Sequence, residues 1–569
     1  MAQPVFYDPR QARWKRLRSL FDVLGISVML LVVFFIYNAL HGEQLPELIW
    51  QAQKKPYHAL KENEKEKARE RRRKQAALRG NRKTKSNPSL VELNSEEGIR
   101  AAFYAPWDAA SFSSLREYAR QVDLLYPDWL HVLTSDGHLQ GVDDQTNKYF
   151  DVIQGSTIHP VDDKVMPFLK SENTGMEVFP MVNNSDGVNW VDITSFLNDA
   201  DARAFFRQQV DALLATDKYR GLMVDFEEIE PEAQPGYMAL LQELSDDLHA
   251  KGMKLYVSVP PHNEDFDYPA VAGRVDGVVL MNYDEHYPEG TPGPVASQDW
   301  FVANLKFASK AVPLGKLICA IGNYGYDWVR KPKHGKLPPD VRDTNVSVQE
   351  AWLAARDSEE DVDFDGDSSN PHFSYMDEQN RQHDIWFLDA VTALNQTRAA
   401  QRLGIQTFAL WRLGAEDRSL WRVWDVPGEP IAPDKLKDVL PGQDVDMEGQ
   451  GEILHIEARP ANGIRELTVD PSGIITDETM DTLPEPYRVA RYGYSPKAVA
   501  ITFDDGPDPQ WTPKILDVLK RENATATFFL IGLEAKDFGN VTSRIYREGH
   551  DIGNHTFTHP DISNLRAVT

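Results

Sequence analysis

The sequence predicts an α/β chain: an N-terminal transmembrane helix, a (β/α)8 TIM barrel, and the first part of a second, distorted β/α barrel. Three observations predict it. An uncharged apolar run lies at 23–40, eight strand-like runs alternate with helical patterns between 99 and 425, and strand-like runs after 496 end in acids and histidines. At 569 residues the chain is too long for one ordinary domain, and 41% hydrophobic content supplies apolar side chains for more than one core.

The N-terminal part reads as a membrane anchor. Val23 to Leu40 is about 18 residues without a charge, enough to span a bilayer with little to spare. Arg10, Arg13, Lys15, Arg16 and Arg18 precede it, which favours a cytoplasmic tail at 1–20, a helix at 21–40 and an extracytoplasmic body. A cleaved signal peptide is the rival, but the run is long for one and no small-residue cleavage pattern follows. Residues 41–98 read as a charged stalk. Between Lys54 and Lys85, 14 basic and 4 acidic residues fit either a solvated stalk or contact with anionic lipid headgroups. The rest of the chain after Ser86 therefore carries roughly −37, more than the net charge of −26, and an acidic body argues against nucleic acid as a partner.

From 99 to 425 the runs are 99–107, 128–135, 177–184, 221–229, 254–263, 277–286, 316–328 and 407–417, with helix candidates such as 195–216 and 236–252 between them. Strand alternating with helix predicts a parallel sheet, and eight units over this length fit a closed barrel. An open doubly wound sheet is the alternative, although no glycine fingerprint follows the first strand. Polar residues gather where the runs end, the active face of such a barrel. Asp225 and Glu227 end the fourth run, and residues two apart in a strand share a face, so both carboxylates enter one cavity. Neighbouring carboxylates do not both ionise cheaply, so one keeps a proton and can serve as a general acid. Asn282, Tyr283 and Asp284 end the sixth run, Trp411 lies on the eighth, and Tyr104 on the first. Asn282, Asp284, Trp411 and Tyr104 are the candidate substrate contacts. The single cysteine, Cys319, lies in an apolar run and reads as a buried hydrophobe.

This arrangement resembles glycoside hydrolase family 18, the chitinase-like barrels, and within it the branch carrying a run like Tyr324-Gly325-Tyr326-Asp327-Trp328. The resemblance implies that Glu227 protonates the glycosidic oxygen while the substrate's own N-acetyl carbonyl attacks the anomeric carbon. Asp225 and Tyr283 would steady the cyclic intermediate, the substrate-assisted exception to the two-carboxylate scheme. The sequence departs from the family pattern at Met223, where an acid is expected, and at Arg220. Loss of that acid removes a partner for Asp225, so the barrel is read either as a working hydrolase or as a sugar-binding scaffold. Residues 329–384 form a polar insertion. Asp361, Asp363, Asp365 and Gly366 begin like a calcium loop, but His372 stands where a Glu should close it, which favours an insertion overhanging the cleft.

Residues 426–495 are rich in Pro, Gly and Asp and read as a connector with short strand-like pieces. From 496 the chemistry is denser. The run 498–503 ends in Asp504-Asp505-Gly506-Pro507, a helix pattern and the run 524–532 follow, and His555-Thr556-Phe557-Thr558-His559 comes next. Two acids at a strand end and two histidines four apart can supply three ligands with a position left open, the composition of a catalytic metal site. A helix or a tight loop could bring the histidines together.

These two segments resemble the first two motifs of the NodB-homology polysaccharide deacetylases, carbohydrate esterase family 4. The resemblance implies Asp504 as general base and Asp505, His555 and His559 as ligands of a divalent metal ion, with zinc the expected ion. The family's remaining motifs lie further along its fold, so the domain at 496–569 is expected to be incomplete. The order anchor, barrel, deacetylase resembles bacterial fusions that often continue into a family 2 glycosyltransferase. Together these resemblances imply an envelope enzyme that deacetylates an N-acetylglucosamine-containing polysaccharide. The alternative is a membrane-tethered glycan-binding scaffold.

Overall fold

The structure, a computed structural model, describes residues 98–559 apart from 144–147, 163, 264–265, 289, 331–336, 339–340, 378, 425–432, 443–444 and 494–498. The basic tail, the expected membrane helix and nearly all of the stalk lie outside the described residues. Among the described residues no helix is long and apolar enough to cross a membrane.

Eight parallel strands close a barrel: β1 (Arg100–Tyr104), β2 (Leu124–His131), β3 (Met181–Asn183), β4 (Gly221–Asp225), β5 (Lys254–Val259), β6 (Gly277–Met281), β7 (Leu317–Gly322) and β8 (Phe408–Trp411). Each pairs with the next, and β8 pairs with both β7 and β1. Closure removes both sheet edges and excludes the doubly wound alternative. Side chains alternate strictly between two cores. Ala101, Phe103, Tyr126, Met181, Met223, Tyr256, Val279 and Ala320 fill the barrel interior. Ala102, Leu125, Val182, Leu222, Val224, Leu280 and Cys319 pack outward against the helices.

The helices follow the sequence pattern with one break. The candidate at 195–216 is two helices, Thr194–Asn198 and Ala200–Leu214, because the Asp199 side chain accepts from the backbone of Asp201 and Ala202 and starts the second one. The candidate at 236–252 forms Gln234–His249, whose Tyr237, Leu240, Leu241, Leu244 and Leu248 recur at helical spacing and are buried. The second strand begins earlier than its expected span of 128–135. All eight residues of β2 are buried, so Pro127 and Asp128, which read as a boundary, lie inside the strand.

The insertion at 329–384 is largely folded, and the stretch 426–495 does more than connect. Strands at 344–346, 325–329, 382–387, 370–376, 363–365, 475–482, 463–469 and 438–439 follow one another in a single sheet, so both stretches build the same layer. Asp363–Asp365 is a strand of this sheet, its hairpin turned by Asp365 accepting from the Ser368 amide at 2.9 Å, rather than part of a calcium loop. Arg465, from the 463–469 strand, is fully buried. It reaches Asp389 at 2.7 Å, Asp417 at 2.6 Å and Glu478 at 2.8 Å. Asp389 and Asp417 also cap the helical segments at 390–402 and 418–422, so one guanidinium ties the sheet to the barrel's last helical elements.

Beyond 500, β9 (Thr502–Gly506), β10 (Thr527–Leu530) and β11 (Asp551–Asn554) form a three-stranded parallel sheet in that order. Helices Thr512–Arg521 and Gly539–Arg547 follow β9 and β10, and Leu516, Leu519, Phe528, Leu530 and Ile545 make its core. The sequence reading assigned two of these strands. β11, with only Ile552 as a large apolar residue, carries no period-two signal.

Candidate active sites

Alternation along β4 decides the barrel site. Gly221, whose φ of +154° and approach to the Lys254 carbonyl leave no room for a Cβ, seats the strand tightly against β5. Met223 and Asp225 then point inward, and Glu227 follows two residues on. Asp225 accepts a short hydrogen bond from the Ser258 hydroxyl of β5. Burial pushes its carboxyl up to about 6, against the Ser258 bond that lowers it. Glu227 is pushed well above the usual carboxyl range by burial first, then by the charges of Asp225, Asp284 and Glu228. Asn184 clamps the Glu227 backbone, accepting its N–H at 2.9 Å and donating to its carbonyl at 2.9 Å. Asp225, raised to about 6, is thus mostly ionised near neutral pH, while burial and the neighbouring charges favour the protonated form of Glu227, the division of labour that acid catalysis needs.

Around this pair, Asp284 accepts from the Tyr324 hydroxyl in a short bond and from Tyr326 at 2.8 Å, and burial raises it to about 6. Tyr283 is buried and stacks on Trp411 with ring centroids 6.3 Å apart, and Trp411 also meets Phe103 edge-on at 5.1 Å. These rings pack together at the carboxyl end of the barrel strands.

Two expected substrate contacts lie elsewhere, for the same reason. Tyr104 and Asn282 fall on outward-facing positions. Tyr104 packs edge-on against Trp129 at 6.5 Å in the layer between strands and helices. Asn282 is fully buried, donates to the Phe301 carbonyl at 3.0 Å and accepts from Asn304 at 2.9 Å, so it ties β6 to the helix at 298–311. Sequence reasoning missed Ser258 and Asp128, both inward-facing, which a count of alternate residues along the runs could have found. It also missed Trp107 and Tyr287, 56% and 58% exposed on the loops after β1 and β6. Large aromatics left in water on the active face suit stacking on sugar rings.

Burial of Asp225 has a thermodynamic consequence. A carboxyl raised from 3.8 to about 6 on folding favours the folded state below the unfolded value and loses that advantage as pH rises through the folded one. Asp225→Asn is therefore expected to raise the thermal midpoint at pH 7, by on the order of 3 kcal/mol of stability. No gain is expected at pH 3.5, and calorimetry at the two pH values checks this.

At the second site, β9 is bulged. Its register against β10 shifts between Phe503 and Gly506, and Asp505 has φ of +67°. A bulge re-aims side chains at the end of a strand. Asp505 Oδ1 lies 3.1 Å from His555 Nε2 and 3.2 Å from His559 Nε2, and the two rings are 4.9 Å apart. The histidines sit on a loop after β11 rather than on a helix. Thr556, with φ of +64°, and His559, with φ of +52°, bend it, and the His559 amide donates to Thr556 Oγ1 at 3.0 Å. The His555 amide donates to the Leu530 carbonyl at 3.0 Å, which ties the loop to β10. One ligand atom from each of Asp505, His555 and His559 lies within 4.8 Å of the others. Three such donors, one anionic and two imidazole, suit a divalent ion such as zinc. Asp504 is exposed beside Asp505 and is not one of the three.

A closed barrel whose carboxyl end gathers buried acids and aromatics, joined in one chain to an Asp-His-His cluster on a second α/β sheet, defines a hydrolase that acts on polysaccharide. Residues 128–416 match the family model for glycosyl hydrolases family 18. That is just over half of the sequence, and the chain belongs to this family. Residues 491–568 match the polysaccharide deacetylase model. Among curated proteins, the chain is 29% identical over 230 residues to the uncharacterized glycosylase YvbX of Bacillus subtilis, covering 38% of this chain and 64% of that one. It is 54% identical over 82 residues to a peptidoglycan-N-acetylglucosamine deacetylase of Bacillus cereus, covering 14% and 30%. It is 49% identical over 75 residues to a chitooligosaccharide deacetylase of Sinorhizobium fredii, covering 13% and 35%. The chain thus spans less than two thirds of the length of each of these relatives.

Proposed function

We propose that this protein removes acetyl groups from an N-acetylglucosamine-containing polysaccharide of the cell envelope, and that its barrel cleaves the same glycan. The observation that carries the first activity is the convergence of Asp505, His555 and His559 on one point. These three would hold a divalent ion, zinc being the expected one. When bound, the ion supplies Lewis-acid polarisation of the N-acetyl carbonyl and eases deprotonation of water. Asp504, the neighbouring carboxylate, would accept the proton lost by the attacking water at its own oxygen. The amide C–N bond then breaks as that proton passes to the departing nitrogen, leaving the sugar amine and acetate. The deacetylase relatives, whose names specify peptidoglycan N-acetylglucosamine and chitooligosaccharide, support this substrate class.

In the barrel, Glu227 would give its proton to the glycosidic oxygen as the substrate's N-acetyl oxygen attacks the anomeric carbon. Asp225 and Tyr283 would hold the acetamido group in place, while Trp411 and Asp284 bind the ring. The fully buried Met223, two residues before Asp225, favours a second reading, a barrel that grips the glycan without cutting it. An anchor near the N-terminus, carrying both modules outside the cytoplasm, completes the proposal. It is supported by the uncharged run at 23–40 and the basic residues before it.

Asp505→Ala tests the metal site. The variant is expected to bind added Zn2+ at least tenfold more weakly and to release no acetate from N-acetylglucosamine oligomers. Acetate release equal to the parent's, and indifferent to chelator, would overturn the assignment.

A further inference from the structure

The strand at 325–329 is held on both of its faces. Side chains alternate across it, so Tyr326 and Trp328 pack with the barrel's inner cluster, while Asp327 shares the opposite face with Ile385 of the insertion. On the barrel side, Tyr324, just before the strand, and Tyr326 both donate to Asp284 Oδ1, Tyr326 at 2.8 Å. Trp328 Nε1 donates to the Tyr287 carbonyl at 3.2 Å. The strand therefore grips the loop after β6 at two points. On the insertion side, the hairpin of the 370–376 and 382–387 strands holds Asp327. The Tyr375 hydroxyl donates to Asp327 Oδ2 at 2.9 Å, and the buried His383 brings Nδ1 to 2.9 Å from Oδ1. The other ring nitrogen, Nε2, lies 3.3 Å from Asp377 Oδ2, and the imidazole stacks on Tyr375 at 4.6 Å.

A carboxylate at each nitrogen decides the state of this ring. Carboxylates only accept, and a neutral imidazole has one N–H, so it would turn a lone pair toward the second acid. Only the imidazolium satisfies both. We propose that protonated His383 is a positioning residue: it clamps Asp327 and, through the 325–329 strand, keeps Asp284 and Tyr287 set for glycan binding. The inference rests on the reading of the barrel as a glycan site in which Asp284 binds the sugar ring. Burial by itself would lower the imidazole, but the bonds and charges of Asp327 and Asp377 outweigh it and hold it above the ordinary histidine range. Among the described residues, those two acids, the Tyr375 phenol and Arg381, which pairs with Asp377, surround the ring. Asp343 accepts the Val329 amide at 2.9 Å, and Arg330 pairs with Asp384 on the other face of the sheet. The helix at 348–358 turns Val348, Trp352 and Ala355 to this layer, and its Arg356 pairs with Asp357 and Asp446.

A histidine raised on folding stabilises the folded arrangement below its unfolded titration and loses that contribution as pH rises through the folded one. The clamp is therefore complete at pH 6 and weakens on the alkaline side. In the full chain, KM for a chromogenic N-acetylglucosamine oligomer, or the calorimetric Kd if the barrel binds without cutting, should rise at least threefold between pH 6 and pH 9. His383→Gln should show the raised value already at pH 6, with kcat within threefold of the parent. Asp377→Asn discriminates, because its amide can donate to the bare Nε2 and satisfy a neutral ring. Its KM should stay low at pH 9. An alkaline rise unchanged in Asp377→Asn, or a parental KM in His383→Gln at pH 6, would overturn the proposal.

Hydrogen exchange reads the clamp without any glycan. At pH 6, peptides covering 282–288 are expected to exchange at least fivefold faster in His383→Gln than in the parent, with the helix at 234–249 unchanged as the control. Faster exchange confined to 370–387 would show that His383 only holds its own hairpin together, and would overturn the proposal. A parent that neither binds nor cleaves the oligomers would refute the glycan-site reading by itself. The exchange of 282–288 then decides the clamp: faster in the variant supports it, and unchanged overturns it.

Discussion

Glu227→Gln is expected to lower the barrel's cleavage of N-acetylglucosamine oligomers by at least 100-fold while leaving the fold and glycan binding intact. The loss should be chemical because the position is fixed by the backbone. Asn184 grips both the amide and the carbonyl of residue 227 whatever its side chain. Glutamine fills the same space and retains an N–H donor, but it has no proton to give to a departing oxygen. Removing a general acid typically costs about 10²- to 10⁴-fold. Burial and the charges of Asp225, Asp284 and Glu228 all hold Glu227 in its protonated form, so the parent should stay active well above the ordinary titration range of a carboxyl. Activity should decline on the acid side as Asp225, raised to about 6, takes up its proton. Measured kcat against pH, with calorimetric binding as the control, checks both statements. Equal cleavage by parent and variant would remove Glu227 from the mechanism. Binding without cleavage in either would favour the scaffold that Met223 suggests.

Arg465→Met carries the largest expected effect on stability. The guanidinium is fully buried and faces Asp389, Asp417 and Glu478 within 2.8 Å. Burial and then the charge of Asp389 push Glu478 well above its usual range, and the charge of Arg465 opposes that rise. Methionine fills comparable volume and removes the cation that these three acids share. Breaking a buried pair from one side costs about 3–5 kcal/mol, because the remaining charges have neither water nor a partner. The thermal midpoint of the barrel transition should fall by several degrees. Cleavage should weaken with it, since Asp389 and Asp417 begin the helical elements that flank β8. A midpoint within a degree of the parent would mean that the 463–469 strand does not stabilise the barrel.

Local signals carried much of the architecture. The alternation of strand and helix predicts an eight-fold parallel sheet because buried parallel strands must be apolar and must be joined by crossovers. The runs Asp225-Phe226-Glu227 and Met281-Asn282-Tyr283-Asp284 mark the ends of β4 and β6 because polar residues cluster where a barrel opens. Parity is less legible. Tyr104 and Asn282 have the right chemistry in the right segments, yet each lies one residue out of phase with the cleft. A strand turns its side chain through the sheet at every step. The strand-like pieces of 426–495 gave no sign of their partners, since antiparallel pairing with 363–365 depends on a segment far away in sequence.

By itself, the sequence determined the element types, the alternating α/β class and the acid and histidine pairs, because periodicity and residue chemistry are local properties. Only the tertiary structure decided that Asp505 meets His555 and His559 across a bulge and a loop. It alone showed that Arg465 binds a remote strand to the barrel. Each of these is a meeting of residues from different strands, and the register that sets such meetings is fixed when the whole sheet closes and packs, not by any one segment.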